Sequence, residues 1–263
     1  MAEVGGVADD ASLLAVTYET EGEVVRSREL ADRLGVLLLP IEEAKLRQSA
    51  SFFLIYRDGC LKLLDRPLLN KGGLMVEIDP RPGEQHSWPA PKTGVFAQAI
   101  GKKTRTIVDA TAGWGQDSLA MFRMGYRVAC IERSPVMAEL IRDGLERLAE
   151  KDWVRRRSLP VPELIVGDAI EILQGLPERP DCIYLDPMFP PKRKKSAQAK
   201  KSMAVLRDIL GDDLDREALF GAAFAATGKR VVVKSPDYAE PLGAKPDQSF
   251  RGKLVRYDVY LKP

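Results

Sequence analysis

The sequence contains a single histidine, His86, and three cysteines that lie far apart. No cysteine pair has the C-x-x-C spacing of zinc sites, and an odd number of cysteines does not complete a disulfide framework. His86 lies among prolines and glycines without an apolar pattern, which is typical of a surface loop. We therefore expect chemistry that uses neither a histidine base nor a bound metal.

Long apolar runs are also absent. No stretch approaches the roughly 20 apolar residues that span a bilayer, and the acidic residues 1–14 lack the apolar core of a signal peptide. We expect a cytoplasmic protein without a membrane partner. The net charge is only +2, so attraction to a polyanion must come from local clusters of basic residues.

Two regions of different composition predict two domains. Residues 1–90 combine apolar runs with one helical pattern and predict a small mixed α/β subdomain, followed by a second domain over 91–263. Residues 79–94 hold four prolines and two glycines, which indicates the boundary. In the first domain we expect strands over 13–19, 52–57, 60–65 and 74–79, a hairpin turn at Asp58-Gly59, and a helix over 27–36.

The second domain alternates short apolar strands with helical segments. Continuous apolar strands separated by helices are typical of a parallel sheet covered on both faces. We therefore predict an open, doubly wound, Rossmann-like α/β sheet that binds its ligand at the carboxyl ends of the strands. The expected strands are 105–111, 126–132, 163–168, 181–187 and 230–236, the clearest helix is 134–151, and the alternating run 252–263 predicts an antiparallel edge strand.

Residues of the types found in adenosine-binding sites stand at the ends of three of these strands. The small residues of "VDATAGWGQD", 108–117, allow a sharp turn whose following helix points N–H groups at a ligand. Glu132 ends the next strand, where a carboxylate can accept hydrogen bonds from ribose hydroxyls. Asp168 ends the third strand, where it can meet an adenine amino group. Ser118 replaces the third glycine of the dinucleotide fingerprint, which favours S-adenosylmethionine (SAM) over NAD.

The segment "DPMFPP", 186–191, follows the fourth strand and has the chemistry of a base pocket. Asp186 supplies a carboxylate, Pro187 and Pro190 stiffen the loop, and Phe189 offers a ring for stacking a nucleobase. An exocyclic amine of a base is a poor nucleophile because its lone pair is delocalised. Hydrogen bonds to a carboxylate and a carbonyl free that pair, and alignment with a methyl donor supplies much of the acceleration.

A basic run follows this segment directly and indicates a nucleic-acid partner. It can hold the phosphates that flank an extruded nucleotide. A further lysine at the end of the fifth strand, Lys234, is another candidate phosphate or base contact. The run consists of Lys192, Arg193, Lys194, Lys195, Lys200 and Lys201. From these residues alone, the chain is predicted to be an amino-group methyltransferase acting on a nucleic acid.

Three segments together resemble the bacterial ribosomal RNA small subunit methyltransferase J family: "VDATAGWGQDSLA", "CIYLDPMFPPKRKKSAQAKKSM" and "RVVVKSPDYA". They cover most of residues 105–240. Met188 stands where the wider amino-methyltransferase signature has a second proline, a change that this family shares. The resemblance implies a class I methyltransferase fold and SAM-dependent methylation of guanine N2 in 16S ribosomal RNA, either naked or within the small subunit.

The resemblance also implies cofactor contacts at matching positions. In the family an arginine often stands where this chain has Gln116, so that contact departs from the pattern. The expected cofactor contacts are Asp109, Gly113, Gln116, Asp117, Glu132, Arg133, Asp168, Ala169 and Asp186. Three alternatives stay open: an adenine-N6 methyltransferase on RNA or DNA, a non-catalytic RNA-binding assembly factor, and a nicotinamide oxidoreductase.

Overall fold

The structure is a computed structural model that describes residues 13–47, 49–66, 69, 72–79, 88–189 and 215–263. His86 and Pro190 lie outside these residues. The chain divides into two compact units, of which the first ends at Val76 and the second begins at Glu77. Within the described residues no helix has the length and apolar character to cross a membrane, and no group of three or more His, Cys, Asp or Glu side chains is arranged to hold a metal.

The division between the units lies before the expected boundary at residue 90. The ring of Trp88 lies 4.9 Å from that of Phe122 and 5.3 Å from that of Trp153, measured between centroids. The Ala90 N–H also donates to the carbonyl of Arg123 at 2.7 Å. Residues 88–90 therefore pack within the second unit, because their aromatic and backbone groups find partners there.

The first unit is built around a four-stranded sheet with the order β2-β1-β3-β4. Strand β1 is parallel to both of its neighbours, whereas β3 and β4 form the expected hairpin around Asp58-Gly59. Its elements are β1 (Leu14–Tyr18), a 3-10 turn (Glu21–Glu23), α1 (Val24–Leu34), β2 (Leu37–Pro40), α2 (Ile41–Leu46), β3 (Phe52–Arg57) and β4 (Cys60–Asp65).

The strand expected over 74–79 is wrong. Only Leu74 pairs, in an isolated antiparallel bridge with Leu63 whose two N–H···O distances are 2.7 and 2.8 Å. Residues 75–79 form no strand, and the division between the two units falls within them, after Val76.

The second unit is built around a seven-stranded sheet with the order β10-β11-β9-β8-β5-β6-β7. The five strands from β9 to β7 run parallel, and β11 is antiparallel to both β9 and β10. The predicted doubly wound sheet with an antiparallel last strand is confirmed. Its elements are α3 (Gly94–Ile100), β5 (Thr106–Asp109), α4 (Gln116–Arg123), β6 (Arg127–Glu132), α5 (Pro135–Ala149), α6 (Asp152–Arg155), β7 (Glu163–Val166), α7 (Ala169–Gln174), β8 (Cys182–Leu185), α8 (Arg216–Ala226), β9 (Arg230–Pro236), β10 (Gln248–Arg251) and β11 (Val255–Leu261).

Helix α5 shows how local sequence sets these elements. The Ser134 hydroxyl accepts the N–H of Met137 at 3.4 Å, and Pro135 occupies the first helical position, as predicted. Val136, Leu140, Leu145 and Leu148 are buried. The cap fixes where the helix starts, directly after β6.

The strand order reverses between β5 and β8. From β5 the chain proceeds to β6 and β7 on one side, and then returns to β8 on the other side of β5. Parallel sheets of this kind bind ligands in the crevice outside such a reversal. The ends of β5, β6, β7 and β8 therefore define where a site is expected.

Candidate active site at the carboxyl ends of the strands

The glycine-rich loop after β5 is held by Glu132, the last residue of β6. The Gly113 N–H donates to Glu132 Oε2 at 2.8 Å, and the Ser134 N–H donates to Oε1 at 2.7 Å. Gly113 has a φ of 52°, a left-handed conformation that favours glycine. One carboxylate thus fixes both the loop and the start of α5.

Glu132 keeps the capacity to bind a ligand as well. Its side chain is buried, and burial raises its pKa, although the N–H groups of Ser134 and Gly113 act in the opposite direction. Each carboxylate oxygen offers about two lone-pair sites, and each accepts one of these backbone N–H groups. Although the Arg133 N–H also acts on this carboxylate, lone-pair capacity remains for a hydrogen bond from a ribose hydroxyl.

A pocket opens at this edge of the sheet. Its walls come from the segments after β5, β6, β7 and β8 and from the start of α8, and they include the apolar side chains of Ile131, Ile170 and Leu219. The expected cofactor contacts that line it are Gly113, Glu132, Arg133, Asp168, Ala169 and Asp186. Most of the predicted contacts, which come from four separate strand ends, therefore meet in one pocket.

Asp168 caps helix α7 with one of its two oxygens. Oδ1 accepts the N–H of Ile170 at 2.8 Å and that of Glu171 at 3.3 Å. These bonds fix the carboxylate at the rim of the pocket. Oδ2 takes no part in the cap, so it can accept a hydrogen bond from a ligand amino group.

The position of Asp109 differs from the one expected for a residue that contacts the cofactor directly. Its side chain is 1% exposed, accepts the Thr111 N–H at 3.2 Å, and receives a short hydrogen bond from the Ser118 hydroxyl. It does not line the pocket. Asp109 instead supports the glycine-rich loop from beneath, because both of its partners belong to the loop or to the first turn of α4.

Asp109 makes stability depend on pH. Burial raises the pKa of its carboxyl from 3.8 to about 7, despite the opposing hydrogen bond from Ser118. The folded state thus binds this proton more tightly than the unfolded chain, so the stabilisation is complete at low pH and is lost as pH rises through about 7.

The side chain introduced by Asp109→Asn cannot ionise. The fall in unfolding free energy between about pH 5 and about pH 8 should be about 2–3 kcal/mol smaller in this variant. Urea denaturation tests this, with the exposed Asp79→Asn as control; equal slopes in all three proteins would contradict it.

Asp186 is tied into a network of charged and polar groups. Its N–H donates to the Thr111 hydroxyl at 2.6 Å, and Lys234 Nζ donates to its Oδ2 at 2.7 Å. Lys234 also donates to Asp117 Oδ2 at 2.8 Å, and the Tyr184 hydroxyl donates to the same oxygen at 2.6 Å. Lys234 thus bridges two carboxylates from different elements.

The charges in this network are fixed. Burial alone would lower the pKa of Lys234, but the charges of Asp186 and Asp117 outweigh it, so the pKa is raised and the ammonium persists. Burial and the Asp117 carboxylate raise the pKa of Tyr184, so its hydroxyl stays protonated. The sequence suggested a phosphate or base contact for Lys234. In the structure its charge is already matched by two carboxylates.

A second cleft, which Phe189 lines, adjoins the pocket at Asp215. Pro187 is buried and Phe189 is half-buried. The Arg216 guanidinium carbon lies 5.3 Å from the centroid of the Phe189 ring. Phe189 and Arg216 line the second cleft together with Tyr238, and Asp215 lines both cavities. A ligand in the first pocket and one beside Phe189 would therefore be neighbours.

The comparisons with known proteins agree with this geometry. Residues 40–262 match a protein-family model described as "Putative SAM-dependent methyltransferase". The chain is 39% identical over 259 residues to ribosomal RNA small subunit methyltransferase J of Aeromonas hydrophila, covering 94% of this chain and 98% of that protein. The chain belongs to this methyltransferase family. The protein of the same name from Coxiella burnetii is 36% identical over 253 residues, which cover 94% of this chain and 96% of the relative.

A solved structure supports the same conclusion for the fold. The crystal structure of a SAM-dependent methyltransferase from Neisseria gonorrhoeae has a TM-score of 0.66 and 25% identity, covering 94% of this chain and 96% of that one. The family resemblance and the methyltransferase fold inferred from the sequence are both confirmed.

Some residues of this methyltransferase that were expected to bind the cofactor do not line the pocket, and most of those expected to bind RNA phosphates lie outside the described residues. Gln116 is exposed at the first position of α4 and, like Asp117, does not line the pocket. Their cofactor contacts remain predictions. The basic run, Lys192, Arg193, Lys194, Lys195, Lys200 and Lys201, lies wholly outside the described residues.

The sequence interpretation missed three residues of the site. Thr111 could have been found, because it follows β5 directly and carries a hydroxyl at the pocket edge. Tyr184 lies inside an apolar strand, where a tyrosine gives no signal of a polar role. Asp215 pairs with Arg133 at 3.8 Å, a contact that depends on the sheet order rather than on any local motif.

Proposed function

We propose that this methyltransferase transfers the methyl group of SAM to the exocyclic N2 amine of a guanine in small-subunit ribosomal RNA. The position of Asp186 carries the proposal: its carboxylate lines the cofactor pocket, and Lys234 and Thr111 hold it there. A fixed carboxylate at this point suits an amine, because it can accept an N–H. The choice of small-subunit ribosomal RNA follows the names of the relatives, and that of guanine N2 follows the family resemblance.

The pocket residues fit the adenosine part of SAM. The remaining lone-pair capacity of Glu132 suits a ribose hydroxyl, and Asp168 Oδ2 suits the adenine amino group. The apolar walls suit the flat adenine ring, which gains from burial against them. These walls are Ile131, Ile170 and Leu219.

We assign to Asp186 the orientation of the target amine. Its carboxylate accepts one N–H and the carbonyl of Pro187 accepts the other, which draws the nitrogen toward tetrahedral geometry and frees its lone pair. When bound, SAM would supply a methyl group on a positively charged sulfur, and S-adenosylhomocysteine would be left as the bond between sulfur and methyl carbon breaks. Alignment of the amine then contributes most of the acceleration. The proton released from the nitrogen leaves along the hydrogen bond to Asp186, so no histidine base is required.

Phe189 and the basic run complete the proposed substrate site. Stacking a base on an aromatic ring contributes about 1–3 kcal/mol, and Phe189 borders the cleft next to the pocket. The run between 192 and 201 remains the predicted contact for flanking phosphates. For Lys234 we propose a positioning role in place of a phosphate contact, since two carboxylates already surround it. A ribosomal RNA substrate implies action in the cytoplasm.

Lys234→Met tests the positioning role. Without the ammonium, the carboxylates of Asp117 and Asp186 repel each other and one of them protonates more easily. We expect kcat to fall about tenfold or more and the acidic limb of its pH profile to move to higher pH. Lys229→Met is the matched control, because Lys229 pairs with Asp181 at 2.8 Å and does not line the pocket. A reduced kcat with an unchanged pH profile would mean that Lys234 only supports the fold.

The form of the substrate is tested by transfer of labelled methyl groups from SAM. Small ribosomal subunits that lack the modification are compared with RNA extracted from them. We expect label in ribosomal RNA from at least one of the two, and the faster reaction identifies the natural substrate. No label in either, from protein that binds SAM, would contradict the proposed function.

A further inference from the structure

A group of exposed basic side chains lies where the parallel strands of the second unit begin. Lys102 and Lys103 occupy the turn before β5, Arg105 directly precedes β5, and Arg127 is the first residue of β6. The Arg127 N–H donates to the carbonyl of Arg105 at 2.9 Å, so these two residues are neighbours. We call these four residues the basic edge.

The basic edge has no counter-charge in the described part of the chain. Among those residues, none of its four side chains forms an ion pair or a hydrogen bond. The adjacent acidic residue, Asp181, accepts the backbone N–H of Arg105 at 2.8 Å and pairs with Lys229 at 2.8 Å. Its charge is therefore already matched by a different lysine.

Some other exposed basic residues differ in this respect, although Arg28, Lys245 and Lys253 are exposed and also form no ion pair within the described residues. Each of several surface lysines and arginines has a carboxylate partner within 4 Å. These pairs are Lys45 with Glu42, Arg155 with Glu150, Arg156 with Asp152, and Arg251 with Asp237. The basic edge thus concentrates unmatched positive charge in a protein whose net charge is only +2.

The basic edge is remote from the cofactor pocket. Arg127 and Glu132 are the first and last residues of β6, and a strand rises about 3.3 Å per residue, so the two lie about 17 Å apart. Its charges therefore do not take part in methyl transfer. Four neighbouring cations repel one another, and a polyanion that spans them relieves this repulsion.

We propose that the basic edge is a second RNA-binding surface, which contacts phosphates of the substrate RNA far from the methylated base. The inference rests on the proposed function, because it takes the substrate to be a large structured RNA. Contacts to phosphates position an RNA without reading its sequence. Each lysine or arginine that binds a phosphate releases counterions, so each contributes to the salt dependence of binding.

The test replaces all four residues of the basic edge by glutamine. The affinity for unmodified small-subunit RNA is measured at several salt concentrations, and SAM binding by calorimetry verifies that the variant is folded. We expect Kd to rise at least about tenfold, and the slope of log K against log salt to fall by about 3, since each contact contributes about 0.7–0.9. The control removes the same charge from paired residues: K45Q, R155Q, R156Q and R251Q together.

The comparison of the two variants decides the inference. A slope that falls in the basic-edge variant but not in the control supports a docking surface. If the slope falls equally in both variants, the effect comes from the net charge of the whole molecule. If the slope falls in neither variant, the RNA binds elsewhere. Either result overturns the inference. Binding of the wild-type protein and of the basic-edge variant to anionic lipid vesicles is compared as well. If the variant loses vesicle binding but keeps its RNA binding, the inference is also overturned. Methylation by the wild-type protein in the same assay keeps these results separate from a failure of the proposed function.

Discussion

Asp186→Asn is expected to lower kcat about 100- to 1000-fold, the range seen when a preorganised hydrogen-bonding group is removed from an active site. Asparagine keeps the size of the side chain but removes its charge. If its NH₂ group replaces Oδ2, it faces the Lys234 ammonium, which donates to that position at 2.7 Å. The target amine then loses its charged acceptor, and the attraction that aligns Asp186 is lost.

The measurement is methyl transfer under multiple turnover at saturating SAM and RNA, which gives kcat, with SAM affinity determined separately by calorimetry. We expect SAM affinity to change much less than kcat, because Glu132 and Asp168 hold the adenosine in this account. Asp152→Asn is the control, since its carboxylate is exposed and pairs with Arg156 on the surface. A variant at Asp186 that retained kcat within about fivefold would show that its carboxylate does not orient the amine.

Glu132→Ala is expected to weaken SAM binding about 100-fold, as loss of hydrogen bonds to a charged group predicts, and to destabilise the fold. The change removes the acceptor for the N–H groups of Gly113 and Ser134 and the acceptor proposed for a ribose hydroxyl. Each buried N–H left without a partner costs about 1–3 kcal/mol. Part of this cost falls on the glycine-rich loop, so the loop loses the shape that the cofactor requires.

Glu132→Gln separates the two effects. One amide oxygen remains as an acceptor, so stability should fall less than in the alanine variant, while SAM affinity still drops. SAM affinity of the wild-type protein measured over a range of pH gives a second readout. Because burial raises the pKa of Glu132, this affinity should decrease as pH is lowered. The decrease should begin at a higher pH than protonation of an exposed glutamate would cause. Wild-type SAM affinity in the alanine variant would contradict the role of Glu132.

The sheet of the second unit was predictable from the sequence because its strands are continuous apolar runs. Cys182–Leu185 is buried at every position, which is the pattern of a strand covered on both faces. Strand β10 was missed, because Gln248–Arg251 is short and polar and forms only by pairing with β11. Helix α3 was missed as well, since it is only seven residues long and directly follows the segment rich in proline and glycine.

The candidate site was largely predictable from the acidic residues at or just after the ends of parallel strands, with the exception of Asp109, which ends β5 but is buried away from the pocket. Glu132, Asp168 and Asp186 all meet at the pocket because the strands share one direction. The partners of Lys234 were not predictable in this way. Its contacts with Asp117 and Asp186 depend on β9 lying beside β8 and on how the side chains point. No local pattern carries that information.

The identity of the methylated nucleoside distinguishes guanine N2 from adenine N6 as the methyl acceptor. Small-subunit RNA lacking the modification is incubated with labelled SAM and the protein, digested to nucleosides, and analysed by mass spectrometry beside the Asp186→Asn variant. We predict label in N2-methylguanosine that is nearly absent with the variant. Label in N6-methyladenosine would instead identify an adenine methyltransferase and would contradict the account.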